Sequence, residues 1–150
     1  MELKIPPAVI FIIFAFGMYL LDKFFPLGDF HFFGRIYLGS FLFFSGILVG
    51  VVSLIQFFAS KTTADPTRPE KAAKLVTRGV YTYTRNPMYL AMLLVLLGLG
   101  IHLGNAFNVL LAASFVSYMN RFQIQPEERA LSKKFGKDYQ QYCTQVRRWF

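Results

Sequence analysis

The sequence predicts an all-α integral membrane protein: four transmembrane helices, the last two forming a short hairpin, followed by a C-terminal amphipathic helix. Three observations carry that expectation. Hydrophobic residues make up 55% of the 150 residues and charged ones only 16%, against about 25% charged in soluble domains. The apolar residues are gathered into long uncharged runs rich in Phe, Leu, Ile and Val. The net charge of +8 lies mainly in two segments beside those runs, a pattern that reads as a topology signal and as attraction to anionic headgroups. The same placement argues against a nucleic-acid partner, which needs a soluble basic face.

The first run, 5–21, carries no charge and opens on Pro6 and Pro7, which a first helical turn tolerates. It shows no small-residue cleavage site, so a retained helix is expected and not a cleaved signal. The second run, 36–60, is longer and also uncharged. Residues 61–85 are polar, hold six Lys or Arg, and are too many for a tight turn, which points to function. The third run, 88–120, has 33 residues without a charge. As one helix it would be about 50 Å long, too long for a single span. Gly104-Asn105 is a turn signal and divides it into 88–103 and 106–120. Residues 121–150 hold seven Lys or Arg. Both basic segments belong on the cytoplasmic side, which requires an even number of crossings between them. Four spans with both termini inside satisfy this. Leu131, Phe135, Tyr139, Tyr142 and Val146 are spaced by four, four, three and four, one face of a helix, with Gly136 expected to break or bend it. The whole chain, 1–150, reads as one membrane-embedded domain, with 61–87 and 121–150 as its cytoplasmic cofactor region.

Arg85-Asn86-Pro87 opens the third span. Asn is a strong N-cap and Pro suits the next position, so this is at least a well-made helix start. The same free N–H groups beside Arg85 could also hold an anion. Glu127 and Glu128 follow Pro126, where carboxylates compensate a helix dipole; they could equally hold an amino group, a ribose hydroxyl or a sulfonium. Arg147 and Arg148 suit lipid headgroups, or a bidentate grip on an anionic substrate group. Tyr81, Tyr83 and Tyr89 could stack on an adenine or anchor at the interface. His31 and His102 are isolated and show no metal-ligand spacing, so no metal is expected. Cys143, the only cysteine, lies on the aromatic face and reads as packing.

The order of these signals is more specific than any one of them. Leu75-Val76-Thr77-x-Gly79-Val80-Tyr81 followed by Arg85-Asn86-Pro87-Met88-Tyr89-Leu90 resembles the cofactor-site entrance of the isoprenylcysteine carboxyl methyltransferase family. Glu127-Glu128, Leu131, Phe135-Gly136, Tyr139, Tyr142, Val146 and Arg148 are similar to that family's C-terminal motif, and phospholipid N-methyltransferases share this region. Asn86 stands where the family often has His.

The resemblance implies an S-adenosylmethionine-dependent methyltransferase acting at the cytoplasmic face of a membrane, the inner membrane in a bacterium, on a lipid-like or prenylated substrate that enters from the bilayer. It implies cofactor contacts at Gly79, Tyr81, Arg85, Asn86, Pro87, Tyr89, Glu127, Glu128, Tyr139 and Tyr142. Arg148, Glu127 and Glu128 are the expected catalytic residues: Arg148 as anchor of a prenylcysteine-type carboxylate, the glutamates as proton acceptors for an amine. A phospholipid amine or a small thiol is the alternative acceptor. An NADPH-dependent membrane reductase and a non-catalytic lipid-binding protein are the alternative classes.

Overall fold

The computed structural model describes residues 3, 5–26, 28–60 and 74–150; most of the polar stretch after the second apolar run lies outside them. The described residues contain six α-helices and no strand. In chain order they are α1 (Pro7–Phe24), α2 (Arg35–Ala59), α3 (Pro87–Leu103), α4 (Asn108–Met119), α5 (Gln125–Phe135) and α6 (Lys137–Gln145). Among them α1 and α2 are long and apolar enough to cross a membrane, and only about a sixth of each is buried. α3 is apolar but has 17 residues, and α4 has 12. Large side chains such as Phe16, Phe41, Phe44 and Ile55 stand exposed on α1 and α2, a surface suited to lipid and not to water.

The bundle is built around α2 and α3. The buried residues of α2 are Gly39, Gly46 and Ser53, one small residue every seven. A Cβ at Gly46 would lie 2.8 Å from the Ala91 carbonyl oxygen, and one at Gly98 would lie 2.7 Å from that of Gly39. Only glycine permits backbones this close, the usual device for packing helices where lipid removes the hydrophobic driving force. On the other side α1 and α4 close the core. Ile10, Met18, Leu93, Leu96, Phe115 and Met119 share one buried cluster, with Phe14 set edge-on to Phe115 at 5.6 Å.

The chain turns back after α3 at Gly104, whose φ is +86°. The α1–α2 connection is pinned to this turn: the Phe30 N–H donates to the Gly104 carbonyl (2.9 Å) and the Ala106 N–H to that of Gly28 (3.0 Å). Asn105 adds a side-chain bond to the Phe25 carbonyl.

The helix expected to begin afresh at Pro126 does not. α4 passes through a π-helical turn, Asn120–Ile124, directly into α5, with right-handed helical angles at Ile124 and Gln125. Proline at 126 cannot donate to the Phe122 carbonyl and its ring would clash there in a regular helix. The wider turn relieves the clash, and the Leu3 N–H takes the freed Phe122 carbonyl at 3.0 Å. Glu127 and Glu128 therefore sit within a continuous helical run, so the dipole-compensating reading of them is corrected. At Gly136 (φ 52°, ψ −120°) the chain breaks into α6. Leu131, Phe135, Tyr139, Tyr142 and Val146 meet there in a second small core with Leu75 and Cys143.

Candidate active site

Two adjacent glutamates on α5 organise the polar end of the bundle. Successive helical residues point about 100° apart, so the two carboxylates face different surroundings. Glu128 turns to the surface. Arg148 holds it with both arms of its guanidinium, Nε to Oε1 at 3.0 Å and Nη2 to Oε2 at 2.6 Å. Arg85 approaches the same carboxylate at 3.3 Å. Arg85 also donates from Nη1 to the Cys143 sulfur, while its buried Nε has no partner. An open cleft of about 420 Å³ lies over this cluster, lined by Arg85, Glu128, Tyr139 and Cys143 together with Arg129 and Ser132. Burial, and then the nearby Glu128 charge, raises the Tyr139 phenol above the usual tyrosine range. The hydrogen bond to Glu128 raises Arg148.

Glu127 turns inward. Its Oε1 accepts from the Tyr89 hydroxyl at 2.5 Å and from the Gln123 amide at 3.0 Å, two side chains that are themselves buried. Loss of water outweighs these two hydrogen bonds, and the carboxyl is pushed up to about 7. It is thus a group that exchanges a proton near neutrality.

The segment after α6 is not helical: Val146 has extended angles, φ −124° and ψ 132°, and the chain bends again at Arg148. It lies against the start of α3. The Arg85 N–H donates to the Arg147 carbonyl (3.0 Å), and the Arg148 carbonyl accepts from Asn86 Nδ2 (2.9 Å) and Thr84 Oγ1 (3.2 Å). Asn86 makes no side-chain cap on α3; its amide is spent on this segment. Arg148 was expected on a surface helix with a free guanidinium. It stands instead beyond the last helix, which stops at Gln145, and its fork is occupied by Glu128.

The structure thus brings Arg85, Glu128 and Tyr139 to one cleft, with Arg148 bonded to Glu128, and pairs Tyr89 with Glu127. Tyr81 and Tyr142 form a third contact, the Tyr142 hydroxyl donating to the Tyr81 carbonyl at 2.6 Å; burial pushes Tyr142 up to about 12. Gly79, at φ +65°, packs against α2, where any Cβ would overlap the Gln56 amide. That amide accepts the Val80 N–H at 2.9 Å. Pro87 is the buried first residue of α3. His31 and His102 are both exposed, and no group of metal-ligating side chains occurs among the described residues. Sequence reasoning missed Gln123, Thr84, Asn120 and Trp149. Gln123 was within reach, four residues before Glu127 and so on its face; the others depend on where the segment after α6 lies.

A helical membrane-type bundle with Arg85, Glu127, Glu128 and Arg148 brought together by hydrogen bonds and ion pairs around α5 is the class these features define. The phospholipid methyltransferase family profile matches residues 34–138, and the chain belongs to that family of methyltransferases. It is 30% identical over 131 residues to a protein-S-isoprenylcysteine O-methyltransferase of Schizosaccharomyces pombe, an alignment covering 87% of this chain and 52% of the relative. The chain therefore spans about half the length of that relative. An uncharacterized protein of Haemophilus influenzae is 45% identical over 62 residues, 41% of this chain and 98% of the relative. No solved structure matches. The reductase and non-catalytic alternatives lose their support here.

Proposed function

We propose that the chain is a single membrane-embedded domain that transfers a methyl group from S-adenosylmethionine to a lipid-like acceptor, an isoprenylcysteine-type carboxylate first among them. The carrying observation is the cleft, where a cation with an unpartnered buried donor, Arg85, stands beside a carboxylate, Glu128, and an aromatic ring, Tyr139. That donor set fits the methyl donor: the Arg85 guanidinium suits its carboxylate, Glu128 its ammonium or ribose hydroxyls, and Tyr139 its adenine or sulfonium. When bound, the donor supplies an electrophilic methyl on sulfur. The protein's part is to bind, orient and exclude water, because in-line transfer depends chiefly on positioning. Arg148 neutralises and orients Glu128, and the role of acceptor anchor falls to it only where an anionic acceptor displaces that carboxylate.

A specific observation favours a second acceptor. An ammonium headgroup must lose a proton before it attacks, and Glu127, buried and balanced near neutrality, is suited to take it. A phospholipid amine is the reading that uses Glu127.

The test is calorimetry of the detergent-purified full chain with S-adenosylhomocysteine and, separately, NADPH, followed by turnover with a prenylcysteine analogue and with phosphatidylethanolamine. Binding of S-adenosylhomocysteine, weakened in Glu128→Gln, with turnover on at least one acceptor is expected. Binding of NADPH alone, or equal affinity in Glu128→Gln, overturns the assignment.

A further inference from the structure

We propose that Trp149 and Asn120 are positioning residues of the donor cleft: their hydrogen bond fastens the C-terminal segment that carries Arg148 onto Glu128. The inference rests on the reading above, that Arg85 and Glu128 hold the methyl donor.

Four observations meet here. The Val146 N–H makes the last hydrogen bond of α6, to the Tyr142 carbonyl, so residues 147–149 depend on contacts with other elements. The segment's backbone is held at the start of α3 by the Arg85 N–H and by the Asn86 and Thr84 side chains. A separate element holds the next residue: the Trp149 indole N–H donates to Asn120 Oδ1 at 2.9 Å, and the half-buried ring packs against the main core. Asn120 is the first residue of the π-helical turn, so the wide turn that admits Pro126 also supplies the acceptor.

Arg148 and Trp149 are neighbours in the chain, the guanidinium on Glu128 and the indole on Asn120. Trp149 anchored against the core therefore limits where the Arg148 backbone, and with it the guanidinium, can lie. A guanidinium engaged through both Nε and Nη2 tolerates little displacement, because both hydrogen bonds require one planar orientation. Release of Trp149 lets Arg148 swing off Glu128, and Glu128 is then left to Arg85 alone. Arg85 is the cation assigned to the donor. A contact one residue along the chain from Arg148, outside the cleft lining, thus governs the charge balance inside it.

Trp149 is the only tryptophan in the chain, so its fluorescence reports on the segment directly. Emission is recorded for the full chain in detergent, for wild type, Asn120→Leu and Glu128→Gln, without ligand. S-adenosylhomocysteine affinity is then measured for wild type, Asn120→Leu, Trp149→Phe, Arg148→Lys and the Asn120→Leu/Arg148→Lys double variant. Both Asn120→Leu and Glu128→Gln are expected to move the emission to longer wavelength. Asn120→Leu and Trp149→Phe should each weaken binding about fivefold, the scale of one lost hydrogen bond. Asn120→Leu should add nothing once Arg148 is lysine, since contacts acting through one group are not additive. A merely structural role would add in full. Wild-type affinity in a folded Trp149→Phe, or full additivity in the double variant, overturns the proposal. Should wild type itself bind no S-adenosylhomocysteine, the donor reading fails, and emission decides the fastening: a spectrum unmoved by Glu128→Gln overturns it, a shifted one supports it.

Discussion

Glu127 and Glu128 are identical residues one position apart, yet the structure gives them opposite chemistry. Glu128 has two cationic partners and stays at the surface; Glu127 has two neutral donors and little water. For Glu127 the folded state holds a proton more tightly than the unfolded chain, with the carboxyl at about 7 against 4.5. The stability this contributes is present in full below the unfolded value and is lost as pH rises through about 7. Glu127→Gln should therefore flatten the fall in melting temperature expected of wild type between about pH 5 and pH 8. An unchanged profile in the variant would place the titration elsewhere. Tyr89→Phe removes a hydrogen bond to the charged form, so it should move the same transition to higher pH, read from the pH–rate profile or from the melting series.

At the scale of elements, the contact between α2 and α3 is the part least tolerant of added volume. Gly46→Ala puts a methyl 2.8 Å from the Ala91 oxygen and 2.9 Å from the Val95 nitrogen, backbone atoms that cannot rotate away. Gly50→Ala, one turn further along the same helix, meets only the Ala91 methyl at 3.4 Å. The first should cost about 1–3 kcal/mol, the usual penalty of overpacking. The second should be neutral or slightly stabilising, since alanine is the better helix former by about 0.5–1 kcal/mol. Thermal unfolding of both variants in one detergent measures the contrast, and equal melting temperatures would mean that the helices part easily. The seven-residue spacing of Gly39, Gly46 and Ser53 was open to inspection in the sequence, but it becomes informative only once α3 is known to be the neighbour.

For the molecule as a whole, the apolar runs sufficed to place helices within a few residues of where they lie, because uncharged length is a strong signal. The break between α3 and α4 followed from Gly104-Asn105 in the same way. The continuity of α4 with α5 did not, because proline ordinarily marks a boundary and only the π-helical turn overrides it. Within the site, the motif residues were named from the resemblance, but not the pairs they form. That Arg148 serves Glu128, that Asn86 serves the Arg148 carbonyl, and that Tyr89 serves Glu127 are facts of folding across 20 to 62 positions. Such pairs leave no local trace. Four spans with both termini cytoplasmic would place the 28–30 and 104–106 segments together on the far side. Cysteines introduced at Thr82 and Thr144 should then label from the cytoplasm and one at His31 from the opposite face; labelling of His31 with the other two would sink that topology. The helix that runs unbroken from Asn108 to Phe135 also has a mechanical meaning. It is a rod about 40 Å long, rooted among the apolar helices at one end and carrying both glutamates at the other. α4 alone is about 18 Å, well short of a hydrocarbon core of about 30 Å. A bilayer answers such mismatch by thinning, and a helix answers it by tilting. Any tilt of this rod swings the carboxylates, so acyl-chain length in reconstituted vesicles should tune turnover even when headgroups and substrate are held constant.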